Sequence, residues 1–198
     1  GYGLTECSPV ALSNPLGGLN KENSIGIPLP GTSVEFRDLD DPEVVVPYGE
    51  KGELCISGPQ VMPSYWRRKE ESDATVIDGW LHTGDVGYMD EDGYVFLVDR
   101  KKDLILCGGF NVYPRMIEEA IMTHPGVAEV IVIGIPDDYR GETPKAFVKL
   151  LDGQSLSERE MKDYLRDRLS RIEMPEFVEF REELPKTMIG KLSKKELV

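Results

Sequence analysis

Cysteine and histidine are scarce in this chain, with three and two copies among 198 residues. Cys7, Cys55 and Cys107 are far apart and form no C-x-x-C pair. A disulfide framework and a Cys/His zinc site are therefore not expected, and a reducing, cytoplasmic setting is. No apolar run approaches the roughly 18 residues that a membrane-crossing helix needs. The segment Gly1–Pro9 lacks the basic start and apolar stretch of a secretory leader. Positive charge is also in deficit. The 23 Lys and Arg stand against 36 Asp and Glu, a net of −13, which argues against the basic face that a nucleic-acid partner requires. The tract Asp90-Glu91-Asp92-Gly93 lacks the alternating spacing of a calcium loop and reads as a hairpin turn.

What is present is a globular composition, 40% hydrophobic and 30% charged. Charge is uneven along the chain. Residues 1–98 carry 17 acidic and 6 basic side chains, whereas residues 99–198 carry 19 and 17, which suggests two units. Residues 1–24 read as loop. Short strands are predicted at Ser33–Phe36, Gly52–Ser57, Val86–Met89 and Tyr94–Val98, with no helices to cover them. After the charge run Asp99–Asp103 the texture changes. A hairpin is predicted over Leu104–Val112, turning at Gly108-Gly109. A helix follows, with Pro114 at its first position and a stripe of Met116, Ile117, Ala120 and Ile121. Val127–Ile135 and Ala146–Leu151 read as strands. Ser157 and Glu160 form a capping box before Met161, Tyr164, Leu165 and Leu169. A strand at Phe177–Phe180 and the start of a helix at Ser193–Val198 complete the pattern. The fold class is α+β.

Four segments can carry chemistry. In Gly1-Tyr2-Gly3-Leu4-Thr5-Glu6, glycines admit a bulky anion, a Thr hydroxyl can donate to phosphate, and a carboxylate can hold magnesium. The plain alternative is a turn. In Trp80-Leu81-His82-Thr83-Gly84-Asp85, a loop Asp could accept from vicinal hydroxyls, or only satisfy its own backbone. Arg100, in the charge run, could donate to sugar or phosphate oxygens or be simply solvated. In Pro185-Lys186-Thr187-Met188-Ile189-Gly190-Lys191, a loop lysine could bring a point charge to a reacting phosphoryl centre, or likewise be solvated.

Their order matters. GYGLTE, GELCISGPQVMPSYW, WLHTGD, DRKKDLILCGGFNVYP and PKTMIGK together resemble the later motifs of the adenylate-forming superfamily, which includes acyl-CoA synthetases, peptide-synthesis adenylation domains and beetle luciferases. The resemblance covers nearly the whole chain and is closest to medium- and long-chain fatty acid–CoA ligases. Asn111 and Lys102 depart from residues common at their positions in that family. The resemblance implies that Tyr2 lies against adenine, with Gly3 beside the nucleotide. It implies that Thr5 touches the α-phosphate, Glu6 coordinates Mg2+, and Asp85 and Arg100 hold the ribose. Lys191 would serve adenylation, Lys102 would be the hinge, and Gly109 would line the coenzyme A tunnel.

The implied reaction forms an acyl-adenylate from a carboxylate and ATP, then a thioester with coenzyme A, releasing AMP. The family's Ser/Thr/Gly-rich phosphate loop is not in this sequence. Residues 1–98 are therefore expected to be the β-rich remnant of a large N-terminal domain, 99–102 the hinge, and 103–198 a small, complete α+β C-terminal domain. The isolated chain is expected to be inactive and to self-associate or be locally disordered over residues 1–24. Pro185, four residues, then Gly190-Lys191 resembles a pattern recognised by protein acetyltransferases. The sequence leaves two alternatives open, an acyl-adenylate ligase loading a carrier protein and a non-catalytic binding module.

Overall fold

A computed structural model describes residues 1–197, and Val198, the last residue of the expected terminal helix, lies outside the described residues. The chain forms two compact units, Gly1–Lys102 and Asp103–Val198.

The first unit is built mainly from strands. Its elements are β1 (Tyr2–Gly3), β2 (Val10–Ser13), β3 (Ile27–Pro28), β4 (Ser33–Arg37), β5 (Gly52–Ser57), α1 (Lys69–Thr75), β6 (Val76–Ile77), β7 (Trp80–Met89) and β8 (Val95–Arg100). One sheet has the order β1-β2-β3, and the other β4-β5-β7-β6 with β8 also paired to β7. Cys7, Ala11, Leu12, Phe36, Leu54, Ile56, Leu81 and Val95 form its core. The stretch read as loop, residues 1–24, therefore contains β1, β2 and a 3-10 turn at Thr5–Cys7. The difference has a physical cause. Val10–Ser13 lies between Pro9 and Pro15 and is too short to show a period. Its partners on β1 and β3 and the complete burial of Ala11 and Leu12 come from non-local pairing. The short helix α1 is likewise absent from the sequence expectation.

The hairpin between β7 and β8 turns at Asp90–Gly93, where Asp90 Oδ1 accepts from the amides of Asp92 and Tyr94 at 3.0 and 2.9 Å. Lys21 Nζ clamps the turn through Asp90 and Asp92.

The second unit comprises β9 (Ile105–Cys107), β10 (Phe110–Val112), α2 (Pro114–Met122), β11 (Val127–Asp137), β12 (Gly141–Leu150), α3 (Glu158–Leu165) and β13 (Phe177–Phe180). The sheet runs β10-β9-β12-β11, with β13 parallel to β12. Pro114 opens α2, where its missing N–H costs nothing. Ser157 and Glu160 close the capping box on α3, with bonds of 3.3 and 2.8 Å. Leu169 lies beyond α3, and Lys194–Leu197 forms turns. Period-two alternation splits β11. Val130 and Val132 join the core that also holds Ile117, Ile121, Met161 and Leu165, while Ile131 and Ile133 pack with Phe147 and Leu184 in a second cluster. Ile117 is fully buried. Ile117→Ala should therefore cost about 2–5 kcal/mol, read as a lowered urea midpoint. An unchanged midpoint would show that this face does not carry the unit's stability.

Candidate active site

The first unit has a cleft of about 230 Å3, whose lining includes Tyr2, Gly3, Glu6, Tyr65, His82, Asp85 and Arg100. Asp85 and Arg100 are directly opposed across β7 and β8. Arg100 Nε donates to Asp85 Oδ1 at 3.1 Å, and the Tyr2 hydroxyl donates to Asp85 Oδ2 at 2.5 Å. The Asp85 side chain is 13% exposed and that of Arg100 57%. The carboxylate is thus held in place while the guanidinium stays open to a ligand. Burial, followed by the hydrogen bond to Asp85, raises the Tyr2 phenol above its ordinary range. The phenol therefore stays neutral. Each Asp85 oxygen retains acceptor capacity beyond its one bond here.

Asp85 lies within a strand, not on a loop as its Gly-Asp context suggests. The strand is bulged. Between the pairs Glu53–Val86 and Cys55–His82, β5 contributes only Leu54 while β7 contributes Thr83, Gly84 and Asp85. Such an irregularity re-aims a side chain, and here it delivers Asp85 to the cleft. Gly84 takes φ +72°.

In the same cleft, the Tyr65 hydroxyl donates to Glu6 Oε1 at 2.7 Å. That bond, with burial second, pushes the Tyr65 phenol up to about 12. Tyr65 is within the quoted motifs, but nothing in its spacing marked it as a partner of Glu6. Glu6 is a single carboxylate oriented by a neutral donor. This fits Mg2+, which commonly takes one or two carboxylates and completes its shell with phosphate and water. Gly3 has a steric reason to be glycine, because a Cβ there would lie 2.3 Å from the Pro9 carbonyl oxygen. Thr5 is exposed on the adjoining 3-10 turn and is not among the lining residues.

The remaining expected residues lie elsewhere. Lys102 is exposed in the 3-10 turn Lys101–Asp103. Gly109 belongs to the second unit, where it and Gly108 take φ +83° and +61° in a two-residue turn between β9 and β10. This is the geometry that favours two glycines. Lys191, also in the second unit, is exposed at the end of a turn that begins at Thr187. Thr187 N donates to Lys191 O at 2.7 Å, and Lys191 N donates to Thr187 Oγ1 at 3.2 Å.

Sequence reasoning missed Glu53. It is a buried carboxylate, 5% exposed, that contacts Gly84, Lys101 and His82. A Glu next to Gly at the start of a strand carries no local signal of burial.

The cleft thus holds a carboxylate–arginine pair beside a tyrosine, together with a second carboxylate oriented by Tyr65. Residues 1–66 match the AMP-binding enzyme family, and residues 116–191 match the AMP-binding enzyme C-terminal domain. The chain belongs to this adenylate-forming family. It is 48% identical over 198 residues to the long-chain-fatty-acid–CoA ligase of Bacillus subtilis (strain 168), covering all of this chain and 35% of that protein. It is 42% identical to the fatty acid–[acyl-carrier-protein] ligase ScoC of Streptomyces coeruleorubidus, over 99% of this chain and 38% of that one. Among solved structures, ATP-bound MatB from Rhodopseudomonas palustris superposes with a TM-score of 0.92 at 38% identity, over 99% of this chain and 39% of the other. The chain thus spans little more than a third of the length of these relatives.

Proposed function

We propose that this chain is the C-terminal part of an AMP-forming acid–thiol ligase of the long-chain fatty acid–CoA type. The observation that carries the reading is the convergence of Tyr2, Glu6, Asp85 and Arg100 on one cleft. In this reading the Tyr2 ring packs on adenine, with Gly3 allowing close approach. Asp85 accepts from the ribose hydroxyls, and Arg100 adds a donor to the same sugar. Thr5 donates to the α-phosphate. Glu6 would hold Mg2+, which when bound neutralises triphosphate charge. Lys191 brings a cation to the oxygen atoms that gain charge as the fatty carboxylate attacks. Residues 99–102 form the hinge, with Lys102 its pivot, and 103–198 the mobile domain. Rotation would bring Gly109 and coenzyme A to the adenylate for the second half-reaction. The natural setting is the cytoplasm. A protein acetyltransferase acting on Lys191 would remove the charge that adenylation needs.

The test compares this chain with the full-length enzyme. The full-length enzyme should release AMP when given a fatty acid, ATP, Mg2+ and free coenzyme A. The isolated chain, which carries no phosphate loop, should give no carboxylate-dependent ATP–pyrophosphate exchange. Exchange by the isolated chain would overturn the division of labour. A second reading, delivery to a carrier protein, has behind it the 42% identity to ScoC, below the 48% to the coenzyme A ligase. It predicts adenylate formation without AMP release to free coenzyme A.

A further inference from the structure

On its β5 side, the bulge that presents Asp85 has lost its regular ladder partners, while Asp85 still pairs with Arg100 on β8. Side chains replace the lost partners. Thr83 Oγ1 donates to the Leu54 carbonyl at 2.8 Å and accepts from Asp85 N at 3.1 Å. Gly84 N donates to Glu53 Oε1 at 3.1 Å. The other oxygen of the same carboxylate, Glu53 Oε2, accepts from Lys101 Nζ at 2.9 Å and lies 3.3 Å from His82 Nδ1. Gly84 immediately precedes Asp85, and Lys101 immediately follows Arg100. One carboxylate, its side chain 6% exposed, therefore grips the chain neighbours of both members of the Asp85–Arg100 pair.

We propose that Glu53 is a positioning residue for nucleotide recognition. It fixes the bulge on one side and the end of β8 on the other, and so sets the spacing of the two ribose-directed side chains. The proposal rests on the ribose reading of Asp85 and Arg100. Stability alone is a weak account of this group. A buried ion pair commonly gains little over apolar residues of the same volume, and Glu53 sits on β5 beside wholly buried Leu54 and Cys55. What an apolar side chain could not supply is an acceptor for Gly84 N together with an anion for Lys101. Burial works to raise the Glu53 pKa, but Lys101 and then His82 outweigh it, and the carboxyl is held below its ordinary value. The group is therefore ionised at neutral pH.

The test uses the full-length enzyme, with Glu53→Ala and Glu53→Gln, and compares ATP with 2′-deoxy-ATP and 3′-deoxy-ATP. Asp85→Ala serves as the reference without ribose recognition. For Glu53→Ala the KM for ATP should rise about ten- to a hundredfold. Its preference for ATP over both deoxynucleotides should shrink toward that of Asp85→Ala, while the KM for the fatty acid stays within about twofold. Glu53→Gln keeps an acceptor for Gly84 N but no anion for Lys101, and should fall between. A lowered melting temperature with unchanged ribose discrimination would make Glu53 merely structural and overturn the proposal. If Glu53→Ala does not fold, Glu53→Gln and Lys101→Met decide the question by the same criterion. If the unmodified enzyme shows no preference for the ribonucleotide, the ribose reading itself falls and this proposal falls with it.

Discussion

Lys191→Ala in the full-length enzyme is expected to lower acyl-adenylate formation by about 10²–10³-fold, the usual cost of removing one donor aimed at developing charge. The thioester-forming step, started from preformed acyl-adenylate, should change by less than about threefold. The difference between the two steps follows from the chemistry. In the first, a carboxylate attacks an anionic triphosphate, and in the proposed role a compact ammonium would offset charge gathering on the bridging oxygens. In the second, AMP leaves as a thiol attacks a carbonyl, and no triphosphate is present. The lysine suits the role because its backbone is fastened while its side chain extends. The Thr187 amide donates to the Lys191 carbonyl and the Thr187 hydroxyl accepts from the Lys191 amide, Gly190 permits the turn at φ +80°, and Lys191 takes part in no ion pair among the described residues. The measurement is pyrophosphate exchange for the first step and coenzyme A-dependent AMP release for the second. Equal loss in both would assign Lys191 a structural role, and no loss in either would remove it from the site.

Asp85→Ala should be comparably damaging, but through the nucleotide. Asp85 is the acceptor at which Tyr2 and Arg100 meet. Its removal deletes the proposed bonds to both ribose hydroxyls and leaves a half-buried phenol and a guanidinium without their shared anion. Hydrogen bonds to a charged group are worth about 1.5–3 kcal/mol each, so losing two should lower kcat/KM for ATP by about 10²–10⁴-fold. A substitution that strips an acceptor from a site built to bind hydroxyls also removes selectivity. The variant should treat ATP and its deoxy analogues alike. Asp85→Asn keeps the shape and one acceptor for Tyr2, and it should retain more activity than alanine. Isotherms for ATP and 2′-deoxy-ATP would decide the matter. Preserved discrimination in Asp85→Ala would sever Asp85 from the ribose.

These variants act in different units of the chain. Asp85 and Glu53 belong to the first and Lys191 to the second. A deficit confined to nucleotide affinity and selectivity should accompany the former pair, and one confined to adenylation chemistry the latter. The contrast separates binding from chemistry without relying on overall rate.

The amino-acid order by itself determined the local features that depend on near neighbours. The Asp90–Gly93 turn, the Gly108-Gly109 hairpin, Pro114 at the start of α2 and the Ser157–Glu160 capping box all arise within a few residues of chain. Glycine freedom, proline's fixed φ and a side chain reaching its own backbone decide them. The motif order also carried the family and singled out Tyr2, Glu6, Asp85, Arg100 and Lys191. Only the tertiary structure decided how several of these meet. That β2 is a strand, that Asp85 leaves a bulged strand and not a loop, that Tyr65 orients Glu6, and that Glu53 reaches Gly84 and Lys101 all depend on contacts between residues roughly 10 to 60 positions apart. Such contacts leave no local trace, because a strand's pairing and a carboxylate's burial are set by the neighbours that folding brings to them.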